Sequence, residues 1–212
     1  KWGGLRMYGA SSFRNEIGGV LEIDSVNSTS TGTGAISMFS TDTFYNAGTI
    51  KIGNNSSLQQ RGIYMDNASS VIVNSATGII EINNTNRGGI FHRKGPMNNY
   101  GNIKIGNIHA ILFPGWETSD VLSRLNNFSG ASIEANNVMH NGFHFNNGTI
   151  SNAGAIKVGN TGPVSINGIG LFSAASLNNL LGGSIEIDNL TGNFSSGLYV
   201  NNNNALTNSG SI

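Results

Sequence analysis

One phrase recurs along the whole chain, and this internal repeat limits the possible fold more than any other feature of the sequence. It consists of an apolar residue, any residue, Asn, a Gly and then apolar residues alternating around one charge, as in Phe44–Asn54 and Ile150–Asn160. Its leading Asn occurs at eight places, namely Asn15, Asn46, Asn74, Asn99, Asn127, Asn152, Asn179 and Asn208. A repeat of about 27 residues predicts a solenoid, in which each unit buries its apolar face against its neighbours.

Each repeat contains three short apolar segments that alternate with period two and are separated by Gly, Asn and Ser. Alternation over three or four residues indicates strands, because such segments are too short for helices. The sequence therefore predicts an all-β fold, a right-handed parallel β-helix of about eight three-strand coils, as a single domain over residues 1–212. Phe44, Ile50, Ile52, Ile63 and Met65 are expected to point inward.

The repeated Asn has a structural explanation. Stacking places each of the eight directly over the next, so their amides can hydrogen-bond up the stack, and Asn tolerates the backbone of a sharp turn. We interpret these eight residues as a structural Asn ladder. The Gly that follows each of them fits a turn with a positive φ or a close backbone approach.

Alternate repeats differ in a regular way, which predicts a super-repeat of two coils, about 53 residues long. The offset from the Asn to the first strand residue alternates between 6 and 4. The strand charge alternates in step, through Glu22, Lys51, Glu81, Lys104, Glu134, Lys157 and Glu186. Stacked coils would bring these residues into one column, where opposite charges attract, so we predict a charge ladder that fixes register.

Composition excludes several classes of protein. The net charge is zero and only 10% of residues are charged, which leaves no basic surface for nucleic acid. The chain has no run of 18 apolar residues, so no membrane span is expected, and no Cys for thiolate metal sites or nucleophiles. The His residues show no zinc-site spacing, and Glu117 and Asp120 form the only dense acidic spot. We predict no enzyme activity, no metal and no cofactor.

A candidate binding surface comes from the outward position of the second strand, which is unusually aromatic. The irregular stretch Phe113–Leu125 is expected to be a loop and adds one Trp to this surface. The residues of the possible partner or glycan surface are Tyr64, Phe91, Leu112, Trp116, His144, Phe172 and Tyr199. Exposed apolar stripes mark interaction sites. Two alternatives stay open: long loops could cover the stripe, and the irregular loop could pack Trp116 onto the rod.

The repeated phrases Asn46–Ile52 and Asn208–Ile212 resemble the coils of large secreted bacterial surface proteins. These include filamentous-haemagglutinin-like adhesins, autotransporter passengers and extracellular repeat proteins of Bacteroidetes. The resemblance implies an extracellular or cell-surface location and a role in adhesion or filament building. The strict alternation and the lack of a secretion domain depart from that pattern.

Neither end of the sequence shows a polar cap. We therefore expect a structural or adhesive solenoid that associates with itself, head to tail or laterally, or with adjoining repeats of a longer array. The alternative is a carbohydrate-binding or carbohydrate-cleaving β-helix, of tailspike or polysaccharide-lyase type.

Overall fold

The computed structural model describes residues 4–26, 32–193, 195–201 and 203–212. Twenty β-strands are assigned in this part of the chain, and none of its residues lies in a helix. It thus contains no helix long and apolar enough to cross a membrane. Every strand pairs in parallel with a strand of a neighbouring turn, which makes the fold a parallel β-solenoid, as the repeat predicts.

Three faces run along the solenoid, each built from one strand of every turn. The first face contains Leu5–Met7 (β1), Gly34–Met38 (β4), Arg61–Asp66 (β7), the start of Ile90–Asn99 (β10), Trp116–Thr118 (β12), the starts of Phe143–Asn152 (β15) and Ile169–Asn179 (β17), and Leu198–Val200 (β19). The second face contains Ser12–Asn15 (β2), Thr43–Asn46 (β5), Val71–Asn74 (β8), Ser123–Asn127 (β13), Ala205–Asn208 (β20) and the ends of the three long strands. The third face contains Val20–Ile23 (β3), Thr49–Ile52 (β6), Ile79–Ile82 (β9), Asn102–Ile105 (β11), Ser132–Ala135 (β14), Ala155–Val158 (β16) and Ser184–Ile187 (β18).

The seven strands of the third face define about seven turns, one fewer than the eight coils counted from the sequence. The eighth copy of this segment forms only an isolated bridge, between Ser184 and Ser211, and no strand. Successive ladder asparagines lie 25 to 31 residues apart. The right hand of the coil and the two-coil super-repeat stay predictions.

A continuous apolar core fills the solenoid, because every second strand residue points inward. On the third face Ile50, Ile80, Ile103, Ile133 and Ile156 stack in one column and are fully buried. Truncating one such Ile to Ala typically costs about 2–5 kcal/mol, since the closed coil above and below cannot collapse into the space. The inward residues expected from the sequence all belong to this core.

The corner between the third and first faces adds a contact that the sequence pattern does not predict. Ile111, Val138, Val164 and Leu190 form a column of isolated parallel bridges there. This column changes the interpretation of the irregular stretch. Ile111 turns the corner, and the first-face strand of that coil begins only at Trp116.

The surface position predicted for Trp116 is therefore wrong, and Leu112 does not occupy the strand position expected for it. Trp116 pairs in register with Ile90 and Phe143, points inward and is fully buried in the core. Leu112 is 44% exposed, but it lies beside the corner column and outside the strand. Trp116 thus packs into the rod from strand β12 and not from a loop, and its ring contacts that of Phe143.

The Asn ladder is a continuous hydrogen-bonded column at the corner between the second and third faces. Each Asn Nδ2 donates to the Oδ1 of the next Asn over 2.7–2.9 Å, in seven successive bonds from Asn15 to Asn208. Each Nδ2 also donates to a backbone carbonyl of the next turn over 2.9–3.2 Å. A Cβ on Gly48 would lie 2.3 Å from the Gly19 carbonyl oxygen, so close packing explains the Gly.

Candidate functional site

Seven rings stack along the first face and form what we call the aromatic column: Tyr8, Phe39, Tyr64, Phe91, His144, Phe172 and Tyr199. Neighbouring centroids are 4.4 to 5.6 Å apart, and the ring planes differ by 11–40°. Five of these residues belong to the predicted partner surface, and the column brings them together in two groups.

Some rings reach the column from positions that strand register does not assign to it. Register places Ser37 next to Tyr64, and Gly170 next to His144. The rings that fill those two levels come from Phe39 and Phe172, two residues further along. A Cβ on Gly170 would lie 2.5 Å from the Phe172 ring, so glycine at that level makes room for the neighbouring side chain.

Within each group the rings lie against one another, so their faces are largely covered by their neighbours. Tyr64 is only 6% exposed, whereas Tyr8 and Tyr199 are 52% and 39% exposed. Stacking on a sugar needs an open ring face. The rings in the interior of the column therefore mainly pack against one another. Open ring faces can occur at the two ends of the column and at its gap.

The gap lies between Phe91 and His144, where register places Glu117 instead of a ring. Beside it is a cavity of about 70 Å³ lined by Arg61, Arg87, Phe113 and Glu117, which we call the Arg–Glu cavity. Two cations, one carboxylate and one aromatic ring thus meet at the level where the aromatic column is interrupted.

Burial controls the electrostatics of this cavity. Loss of solvent raises the pKa of the Glu117 carboxyl, and the positive charge of Arg61 partly opposes that rise. Burial also lowers the pKa of the Arg61 guanidinium, with Glu117 acting in the opposite direction. The Arg61 Cζ lies 4.2 Å from the Phe91 ring centroid, a cation–π contact that holds the guanidinium in place.

His92 lies on the same coil as Phe91, with its side chain inside the rod. Its Nε2 is 2.6 Å from the Gly95 carbonyl oxygen, and its ring centroid is 6.3 Å from that of Trp116. Complete burial lowers the pKa of His92 to about 4, because the charged ring would be desolvated. Its Nδ1 and the Trp116 Nε1 have no hydrogen-bond partner among the described residues.

A second pair of histidines lies next to the column. The rings of His140 and His144 meet edge to face with centroids 6.0 Å apart, and the Asn141 Nδ2 donates to the His144 Nδ1 over 2.7 Å. Burial lowers the pKa of both rings. Throughout the described ranges, no three His, Asp or Glu side chains are close enough to hold a metal ion.

On the third face the register puts the seven ladder charges in one column, so that each acidic residue pairs across the strands with a Lys. One of these pairs, Lys157 Nζ to Glu186 Oε2, comes within 3.8 Å. A shallow hollow of about 400 Å³ lies beside this column over Ala153 and Gly154. Its lining is mainly small residues, which offer few groups to orient a ligand.

Arg61, Arg87 and Phe113 were not among the predicted site residues. One signal was present in the sequence: the two arginines are one repeat length apart, which places them in adjacent coils. Their convergence on Glu117 depends on the corner column, which moves the following strand to Trp116–Thr118. No protein-family model, curated protein or solved structure matches the chain.

Proposed function

We propose that the protein is a structural, adhesive β-solenoid that builds or decorates an extracellular fibre at the cell surface by end-to-end stacking of its coils. The observation that carries this proposal is the direction of the Asn ladder. Each amide from Asn15 to Asn179 donates toward the same end, so within the described part of the chain one end of the ladder keeps an acceptor, and the other a donor, without a ladder partner.

The two ends of the ladder are complementary. Within the described residues, the Asn208 Nδ2 has no hydrogen-bond acceptor, and no Asn amide donates to the Asn15 Oδ1. A further coil placed on Asn208 would receive the bond that each earlier Asn makes. That coil can come from an adjoining repeat of the same chain or from the Asn15 end of a second copy.

The strands at the two ends support the same proposal. Among the described strands, β3 pairs only with β6, whereas β18 pairs with β16 and is bridged on its other side only at Ser184, by Ser211. Apolar side chains are strongly exposed near these ends, with Ile17 at 76%, Val20 at 64% and Leu181 at 86%. Open parallel edges flanked by apolar side chains favour pairing with another coil.

The test is the association state of the 212-residue chain. We expect concentration-dependent end-to-end oligomers in sedimentation velocity, and rods of increasing length in electron micrographs. Asn208→Asp keeps the Oδ1 that accepts from Asn179 but removes the donor, and it should weaken association at least about tenfold. Asn126→Asp, on the outward side of β13, is the matched control and should associate like the unsubstituted chain.

A chain that stays monomeric at millimolar concentration would contradict self-stacking. Lateral sheets in place of longer rods would also contradict it. If both Asp variants weaken association equally, then general charge and not the ladder end is responsible.

A further inference from the structure

We infer that the Arg–Glu cavity binds an acidic sugar residue of a polysaccharide. The sugar carboxylate lies between the guanidinium groups of Arg61 and Arg87, a neighbouring hydroxyl donates to Glu117, and the sugar ring packs on Phe113. This inference is independent of coil stacking, and it limits the carbohydrate-binding alternative to one place on the rod.

The two arginines of the cavity bind the carboxylate of the sugar. Among the described residues Arg87 forms no ion pair or hydrogen bond, although it is only partly exposed and faces the like charge of Arg61. A carboxylate between the two guanidinium groups relieves that repulsion and accepts planar, charge-assisted hydrogen bonds. The contact of Arg61 with Phe91 fixes one of the two guanidiniums before the ligand arrives.

Glu117 provides the acceptor for a hydroxyl. Its side chain is half-buried at the gap in the aromatic column, and it accepts no hydrogen bond from the described residues. Burial of a carboxylate is costly unless donors reach it. A sugar hydroxyl next to the bound carboxylate supplies such a donor. Phe91 and His144, which flank Glu117 in the column, donate no hydrogen bond to it.

The charged groups and the exposed ring determine how the ligand lies. The carboxylate and an adjoining hydroxyl face Arg61, Arg87 and Glu117 inside the cavity, which is open to solvent. The sugar ring then lies at the mouth, where Phe113 is 52% exposed and offers an apolar surface for the C–H groups of the sugar. A polymer can continue from there in both directions along the open surface.

The combination of two arginines and one carboxylate favours binding of an acidic sugar over binding of a simple anion. Two arginines and one carboxylate give the cavity one excess positive charge, so a carboxylate is attracted. A small dianion such as sulfate also meets the negative charge of Glu117 and has no hydroxyl to offer it. The ligand that satisfies all three charged groups carries one negative charge and a hydroxyl donor side by side.

Calorimetric titration of the 212-residue chain with a galacturonate tetramer tests the inference, with a galactose tetramer and inorganic sulfate as comparison ligands. We expect the galacturonate tetramer to bind at least about tenfold more tightly than either. Arg87→Gln should weaken galacturonate binding at least about tenfold, whereas Arg124→Gln, an exposed Arg on the second face, should leave it unchanged. Glu117→Gln should strengthen sulfate binding but not galacturonate binding.

Equal affinity for the acidic and neutral tetramers would overturn the inference, as would unchanged binding in Arg87→Gln. Sulfate binding as tight as galacturonate binding would overturn it in favour of a plain anion site. Should Arg87→Gln fail to fold, Phe113→Ala replaces it, because that exposed ring can be removed without opening the core; it should weaken galacturonate binding about threefold. Because sedimentation reports stacking separately, loss of one activity leaves the other measurable.

Discussion

The Asn ladder and the aromatic column both run along the solenoid, but only the ladder is unbroken. From Asn15 to Asn179 the ladder is buried, and each amide supplies the partner of the next, so one missing member would leave a buried donor and acceptor without partners. The column consists of side chains on the outer side of the first face, and a missing ring there costs only packing contacts. The column can therefore accommodate Glu117, and its gap is where a ligand site can form.

Interrupting the buried ladder is expected to have the largest effect on stability. Asn127→Asp removes the Nδ2 that donates to Asn152 and to the Ala155 carbonyl, and it buries a charge. We expect a loss of about 3–5 kcal/mol in the free energy of unfolding measured in urea. The control is Asn126→Asp on the same strand, whose outward side chain donates to Asn98 and should cost less than about 1 kcal/mol. Similar losses for both variants would contradict a special role of the ladder.

The ladder could be predicted from the sequence because strand register converts constant spacing directly into stacking. Every Asn follows the same short apolar segment, and the parallel pairs keep the eight at one level of each turn. The charge column follows by the same logic. Neither the Asn ladder nor the charge column depends on the conformation of a corner, so the local sequence pattern was sufficient to predict both.

The aromatic column could be predicted only in part. Phe39 and Phe172 reach it from two residues beyond the register position, and for Phe172 a glycine at residue 170 makes room for the ring. The local pattern favoured Leu112 as the strand residue, whereas the long-range bridge between Ile111 and Val138 assigns that segment to a corner. The Arg–Glu cavity depends on this corner and was missed for the same reason.

The buried His92 beneath the aromatic column is expected to make the stability of the chain depend on pH. The folded chain holds His92 neutral, with a pKa of about 4 against 6.5 in the unfolded chain. Between these pH values the unfolded chain binds a proton that the folded chain does not. Stability should therefore be complete above pH 6.5 and fall, as the pH is lowered toward 4, by about 1.4 kcal/mol per pH unit from this group.

His92→Gln should flatten that slope, because an amide can still donate to the Gly95 carbonyl but does not titrate. Urea unfolding at a series of pH values measures it. His109→Gln, at an exposed His, is the control for the His-to-Gln change itself. His140 and His144, whose pKa values are also lowered by burial, contribute a remainder of the same sign in all three proteins. An unchanged slope in His92→Gln would contradict the assignment.

Placing a ring in the gap tests whether the two halves of the aromatic column then stabilise each other as one stack. Glu117→Phe places a ring between Phe91 and His144 and removes a half-buried carboxylate. We expect a gain of about 1 kcal/mol in the free energy of unfolding relative to Glu117→Ala, which removes the carboxylate without adding a ring. If the Phe variant is no more stable than the Ala variant, the two halves of the column do not act as one stack.

The smallest effect is expected in the charge column of the third face, the surface counterpart of the Asn ladder. Lys104 pairs across the strands with Glu81 and Glu134, so Lys104→Glu would place three like charges in succession. We expect a loss of about 1 kcal/mol at low salt, and about half of that for Lys104→Gln, which removes attraction without adding repulsion. Because exposed charges are screened, only the Glu variant should recover with added salt. Equal, salt-independent losses in the two variants would show that the alternating signs do not stabilise the stack, and that the buried amides alone set its register.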